Sequence, residues 1–144
     1  MTIEKQFVAD KITIAKEYLT ETRAMFDSMT DEQILRSKLH IHTLERYLQL
    51  IVDAVLDINN HIIKEFNFES AKDLKSTFTI LADNKILQEE FAQKISGVVG
   101  LRNRIVHQYE KVDNKIFLAE FRKHNSDFDE YFRQILSYLD KNNF

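Results

Sequence analysis

The chain contains no cysteine and no proline, and its only glycines are Gly97 and Gly100. Without cysteine there is no disulfide framework and no thiol nucleophile, and the chain fits a reducing compartment. Turn-rich β folds draw heavily on glycine and proline, so their scarcity points to an all-helical protein. No uninterrupted apolar run approaches the ~20 residues that span a bilayer. The opening residues Met1-Thr2-Ile3-Glu4-Lys5-Gln6 are polar and lack a signal-peptide core. A cytoplasmic protein with no membrane contact is expected. A glycine-rich phosphate loop, a serine elbow and an HExxH zinc motif are all missing. The formal net charge of −3 argues against a general nucleic-acid coat.

What is present is a strong helical pattern. Hydrophobic residues make up 44% of the 144, enough for one domain, 1–144, with its own core. A first helix is expected from Ile3 to about Phe26, with Phe7, Ile14, Tyr18 and Met25 near helical spacing. Ser28-Met29-Thr30-Asp31 breaks it, and Thr30 with Gln33 has the form of a capping box. The second helix is the clearest. Leu44, Tyr47, Leu48, Ile51, Val55, Ile58 and Ile62 form one apolar stripe that ends around Phe66. Ser70 with Asp73 suggests the cap of a shorter helix through Phe78 to about Leu81, followed by a turn at Ala82-Asp83-Asn84-Lys85. A fourth helix runs from about Gln88 past Leu101. After a loop at Glu110–Asn114, a final helix carries Phe117, Phe121, Phe128, Phe132, Ile135 and Leu139. The fold class is all-α, a four- to five-helix up-and-down bundle. The eleven phenylalanines lie mostly on these stripes and are assigned to the core.

The densest chemistry lies in Leu101-Arg102-Asn103-Arg104-Ile105-Val106-His107-Gln108-Tyr109. Arginine offers phosphate a planar, permanently charged fork, and histidine exchanges protons near neutral pH. From Lys94 to Lys111 the bases Lys94, Arg102, Arg104 and Lys111 face a single acid, Glu110, so the local charge is reversed from that of the chain. On an ideal helix with Val99 as the origin, Arg102 falls at about 300°, Val106 at about 340°, Asn103 at about 40° and His107 at about 80°. Val98, Leu101 and Ile105 take the opposite side, at roughly 200–260°. Val99 and Val106 are therefore expected on a second apolar face that another copy of the chain could cover. The two glycines would let a neighbouring backbone approach. RNA transesterification profits from both a base and an acid, and a two-fold dimer would supply two copies of His107.

Other readings remain open on spacing alone. Cations are ordinary near a helix C-terminus. His40 and His42 stand on different helix faces with no third ligand, so no metal is expected there. His61 and His124 are expected at the surface or at helix ends, and Glu45-Arg46 on a solvated or paired face. A non-catalytic nucleotide- or substrate-binding subunit of a nucleotidyltransferase, or a purely structural dimerisation bundle, would fit the same pattern.

Arg102-Asn103-x-x-x-His107-x-Tyr109 resembles the Arg-x4-His-x-Tyr signature of the HEPN superfamily, in its HepT-like branch. Leu44-Glu45-Arg46-Tyr47-Leu48-Gln49 through Asp57-Ile58-Asn59-Asn60-His61-Ile62-Ile63 is similar to that branch's long second helix. The resemblance extends over nearly the whole chain. It implies a homodimeric, metal- and cofactor-independent RNA endonuclease toxin, with its site at the dimer interface. Arg102 and His107 would be the catalytic pair, with Asn103 and Arg104 in support. The products would carry a 2′,3′-cyclic phosphate. Tyr109 would accept AMP from a partner antitoxin, a minimal nucleotidyltransferase, with which the dimer can assemble further.

Overall fold

The computed structural model describes residues 2–107 and 113–142. Seven helical segments are present among them: α1 (Thr2–Ser28), α2 (Asp31–Leu35), α3 (Lys38–Glu65), α4 (Ser76–Asp83), α5 (Glu89–Ile95), α6 (Gly97–His107) and α7 (Asn114–Lys141). Among the described residues there are no strands, and no helix is long and apolar enough to cross a membrane. The expected helical bundle is there. It has more segments than expected because two helices are interrupted, one at Arg36–Ser37 and the other at Ser96.

Long helices α1, α3 and α7 set the frame. Helix α1 runs antiparallel to α3, as shown by Phe7 stacked on His61 and by Lys11 paired with Asp57 at 2.9 Å. It also runs antiparallel to α7, where Lys5 meets Asp140 at 3.1 Å and Arg23 meets Asp129 at 2.7 Å. Consequently α3 and α7 run parallel. Their shared interior holds Leu44, Leu48, Ile51, Val55 and Ile58 from α3, and Phe117, Phe121, Phe128, Phe132 and Ile135 from α7, all buried. Most of the phenylalanines do belong to the core.

The termini follow the expected chemistry at α2 and α7. The Thr30 hydroxyl accepts from the Gln33 N–H while the Gln33 side chain accepts from the Thr30 N–H, a complete capping box. The Asp113 carboxylate accepts from the N–H groups of Lys115 and Ile116. The short helix α4 starts later than the sequence suggests, at Ser76. The Asp73 carboxylate accepts from the Ser76 N–H at 2.8 Å and the Ser76 hydroxyl accepts from the Asp73 N–H at 3.2 Å. This reciprocal pair closes a turn just before the helix, and Ser70 plays no part in it. The turn after α4 also differs in detail. Asn84 keeps a negative φ of −96° because its side-chain amide donates to the Ile80 carbonyl, and Lys85 takes the left-handed conformation, φ 65°.

A polar chain crosses the core. The buried Tyr131 hydroxyl lies 2.5 Å from Asn59 Oδ1 and 3.2 Å from the Val55 carbonyl. Asn59 Nδ2 donates to Thr77 Oγ1 at 3.0 Å, and Thr77 in turn donates to the Leu74 carbonyl at 2.6 Å. Burial pushes the Tyr131 phenol well above its ordinary pKa, so it remains a donor. The chain ties α7, α3 and α4 together with each buried polar side-chain atom named here engaged. Tyr131→Phe leaves Asn59 Oδ1 without its donor and should lower unfolding free energy by about 1–3 kcal/mol, measured by urea denaturation followed by circular dichroism.

Candidate functional site

Helix α6 packs against both α3 and α7. Helices α5 and α6 together run antiparallel to α7. The Gln88 N–H donates to Gln134 at 2.9 Å, Lys94 meets Asp127 at 3.1 Å, and an ideal Cβ on Gly97 would stand 3.5 Å from His124 Nε2. At Ser96 the hydroxyl donates back to the Gln93 carbonyl, which marks the step from α5 into α6.

The apolar side of α6 is wider than the helical wheel suggests. Val98, Leu101 and Ile105 are buried, as expected, but Val99 is buried too, at 4% exposure. Of the supposed second apolar face only Val106 remains open, at 38%. Val99 is thus a core residue of its own protomer, because α6 sinks into the cleft between two long helices. The glycines are not under steric demand within the protomer. A Cβ on Gly97 would make ordinary contact with His124, and one on Gly100 would meet nothing within 4 Å.

On the wheel Arg102 lies between Val98 and Val99, inside the buried arc. A guanidinium there requires a counter-charge. Asp53 of α3 supplies it: Arg102 Nε donates to Asp53 Oδ1 at 2.9 Å, with the two side chains 20% and 36% exposed. Arg102 Nη1 also donates to Asn103 Oδ1 at 3.1 Å. The guanidinium is therefore held along its Nε edge and at one terminal nitrogen. Among the described residues Nη2 makes no hydrogen bond, and it remains for an oxyanion.

Arg102 and Asn103 are thus brought together, with Asn103 engaged by the guanidinium. His107 is exposed on the last turn of α6. Arg104 is also exposed, but it points about 160° away from Arg102 and does not join it. Tyr109 and most of the expected loop lie outside the described residues. Reasoning from the motif missed Asp53. The available signal was the position of Arg102 between two valines on the wheel, which calls for a carboxylate on a neighbouring helix.

His124 is not the surface residue expected. It is 3% exposed, with Nδ1 3.0 Å from Asp127 Oδ2, and Asp127 is itself 3% exposed. Lys94 on α5 completes this group at the root of α6. His61 is half-buried against Phe7, with its ring centroid 4.2 Å away. The solvated or paired face at Glu45-Arg46 is as expected: Glu45 meets His42 at 2.8 Å, and exposed Arg46 donates to Gln49 at 3.3 Å.

The sequence pattern of the family "Ribonuclease HepT-like" matches residues 15–135. The chain is 32% identical over 139 residues to the tRNA nuclease HepT of Aphanizomenon flos-aquae, covering 95% of this chain and 92% of that one. It is 30% identical over 84 residues to the mRNA nuclease HepT of Shewanella oneidensis, covering 58% and 63% respectively. Its fold superposes with a TM-score of 0.83 on a tri-AMPylated Shewanella oneidensis HEPN toxin in complex with MNT antitoxin, at 23% identity, covering 91% of this chain and 97% of that chain. The chain belongs to the HepT-like ribonuclease family.

The two valines on α6 provide a direct check on the packing. Val99→Glu should destabilise the protomer by about 3 kcal/mol or more, since it buries an unpaired carboxylate. Val106→Glu should keep the wild-type helical content. Circular dichroism with urea denaturation distinguishes the two.

Proposed function

We propose that the protein is the toxin of a toxin–antitoxin pair and cuts RNA by a metal-independent transesterification. The observation that carries this reading is Arg102, fixed by Asp53 and Asn103 with Nη2 making no hydrogen bond among the described residues, on the same short helix as the exposed His107. Family membership supplies the substrate class.

In this mechanism the 2′-hydroxyl of one nucleotide attacks its own 3′-phosphorus, the bond to the 5′-oxygen of the next nucleotide breaks, and a 2′,3′-cyclic phosphate is left. Arg102 binds the phosphate and gains strength as negative charge builds on its oxygens. Asn103 and Asp53 keep the guanidinium from swinging away. A neutral His107 takes the 2′-hydroxyl proton, and a protonated His107 gives one to the departing oxygen. Both protonation states are needed at once, which one histidine cannot supply. A homodimer with α6 of each protomer facing a shared cleft provides two. Val106, left 38% exposed beside the site, belongs to that contact. Arg104, on another side of α6, adds to the local positive potential that draws in the strand.

Arg102→Ala and His107→Ala should each reduce RNA cleavage by about 10²–10⁴-fold, His107→Ala with wild-type stability and Arg102→Ala with a loss of stability because Asp53 is left unpaired, and EDTA should leave the wild-type rate unchanged. Gel analysis of labelled RNA, with a test for the cyclic phosphate end, reads all of these. Undiminished cutting by His107→Ala would falsify the mechanism.

Control is assigned to Tyr109, two residues beyond His107. A partner nucleotidyltransferase would join AMP to its phenolic oxygen through a phosphodiester, with pyrophosphate leaving from ATP. The added phosphate would compete for Arg102, and the nucleoside would fill the space of the RNA strand. The tri-AMPylated state of the Shewanella oneidensis toxin supports a modification of this kind. Tyr109→Phe should stay active on RNA and escape neutralisation. Intact mass after incubation with ATP, Mg²⁺ and the partner should show AMP on the wild type and none on the variant.

A further inference from the structure

On α3, Arg46, Gln49 and Asp53 follow one another at steps of three and four, within about 60° of arc. Arg46 stands two turns, about 10.5 Å along the axis, before the carboxylate that holds Arg102. Because α3 runs parallel to α7 while α6 runs antiparallel to it, α6 and α3 are antiparallel. Moving along α6 from Arg102 towards His107 is therefore moving along α3 from Asp53 towards Arg46. By this direction Gln49 and Arg46 lie along α3 from Asp53 on the His107 side.

Arg46, like Arg104 on α6, pairs with no carboxylate among the described residues. Arg23, Arg36, Arg102, Arg122 and Arg133 each pair with a carboxylate. Arg46 is exposed, and among the described residues its hydrogen bond is to a neutral amide, Gln49, at 3.3 Å. That bond orients the guanidinium without cancelling its charge. In the opposite direction the same seam presents Asp57, already paired with Lys11 of α1. A polyanion leaving Arg102 thus meets an already formed ion pair, Asp57 with Lys11, one way and an arginine without a carboxylate partner the other.

We propose that Arg46, seated by Gln49, is a second phosphate-binding residue, which takes a backbone phosphate of the RNA strand next to the scissile one on the His107 side. This rests on the RNA reading above. It gives the site a direction: the strand runs from Arg102 past His107 to Arg46. Such a contact adds affinity and register without reading bases.

The test measures binding of a single-stranded 2′-O-methyl RNA ten-mer, which lacks the attacking hydroxyl, by fluorescence anisotropy at salt concentrations from about 50 to about 200 mM. Arg46→Ala should weaken binding about tenfold at low salt and lower the slope of log Kd against log salt by about 0.7, the value for one single-strand phosphate contact. Arg46→Lys, which keeps the charge, should restore most of the slope. Wild-type affinity and slope in Arg46→Ala would overturn the proposal while leaving the RNA reading intact. A shift of Arg46→Ala from dimer to monomer on sedimentation would overturn it too, since Arg46 would then be a contact between chains. Failure of the RNA reading looks different, because the wild type itself would neither bind the ten-mer nor cut RNA.

Discussion

The ion pair between Arg102 and Asp53 is the constraint on which the site depends. Helix α6 buries Val98, Val99, Leu101 and Ile105, and Arg102 falls within the same arc. An arginine in such a position either leaves the arc and exposes the valines or finds a carboxylate. Asp53 on α3 provides one at 2.9 Å. Once the pair forms, α6 cannot rotate without separating the two charges or exposing its apolar residues. Rotation of α6 is also what would move His107. The contact that makes the arginine tolerable therefore also fixes where the last turn of the helix points.

Everything beneath α6 serves to hold that turn. Helices α3 and α7 run parallel because α1 runs antiparallel to both, and α6 lies between them. The polar chain through Tyr131, Asn59 and Thr77 fixes α7 against α3 from within the core. Lys94 paired with Asp127, itself bonded to His124, holds α5, the segment that leads into α6, against α7. Buried polar groups of this kind add little net stability, but they penalise every arrangement that would leave one of them unpaired. The scaffold thus favours one position of α6 over its neighbours.

The acidic whole and the basic site are consistent with each other. A net charge of −3 weakens indiscriminate attraction to nucleic acid, and most of the described arginines are neutralised by carboxylates within the bundle. Arg46 and Arg104, which pair with no carboxylate among the described residues, stand on the two helices that form the site. In the proposed reading Arg46 is the uncompensated charge on the α3 side of the site, while Arg104 points away from Arg102 and adds only general positive potential.

The sequence by itself determined the all-α class, the extents of α1 and α7 and the end of α3 to within a few residues, the capping box at Thr30 and Gln33, and the core role of most phenylalanines. It also singled out the α6 segment as the candidate site, because residue types and helical periodicity are local properties. Tertiary structure decided the rest. Whether Val99 faces its own core or a second copy depends on how deeply α6 sits between α3 and α7, and no wheel drawn on one helix contains that depth. Likewise Ser70 had the chemistry of a cap but the chain turned at Asp73, and His124 lay on a polar stretch of sequence yet was enclosed by α5 and the start of α6. Asp53 and Arg102 stand 49 residues apart in the chain, and only the antiparallel packing of two helices makes them neighbours.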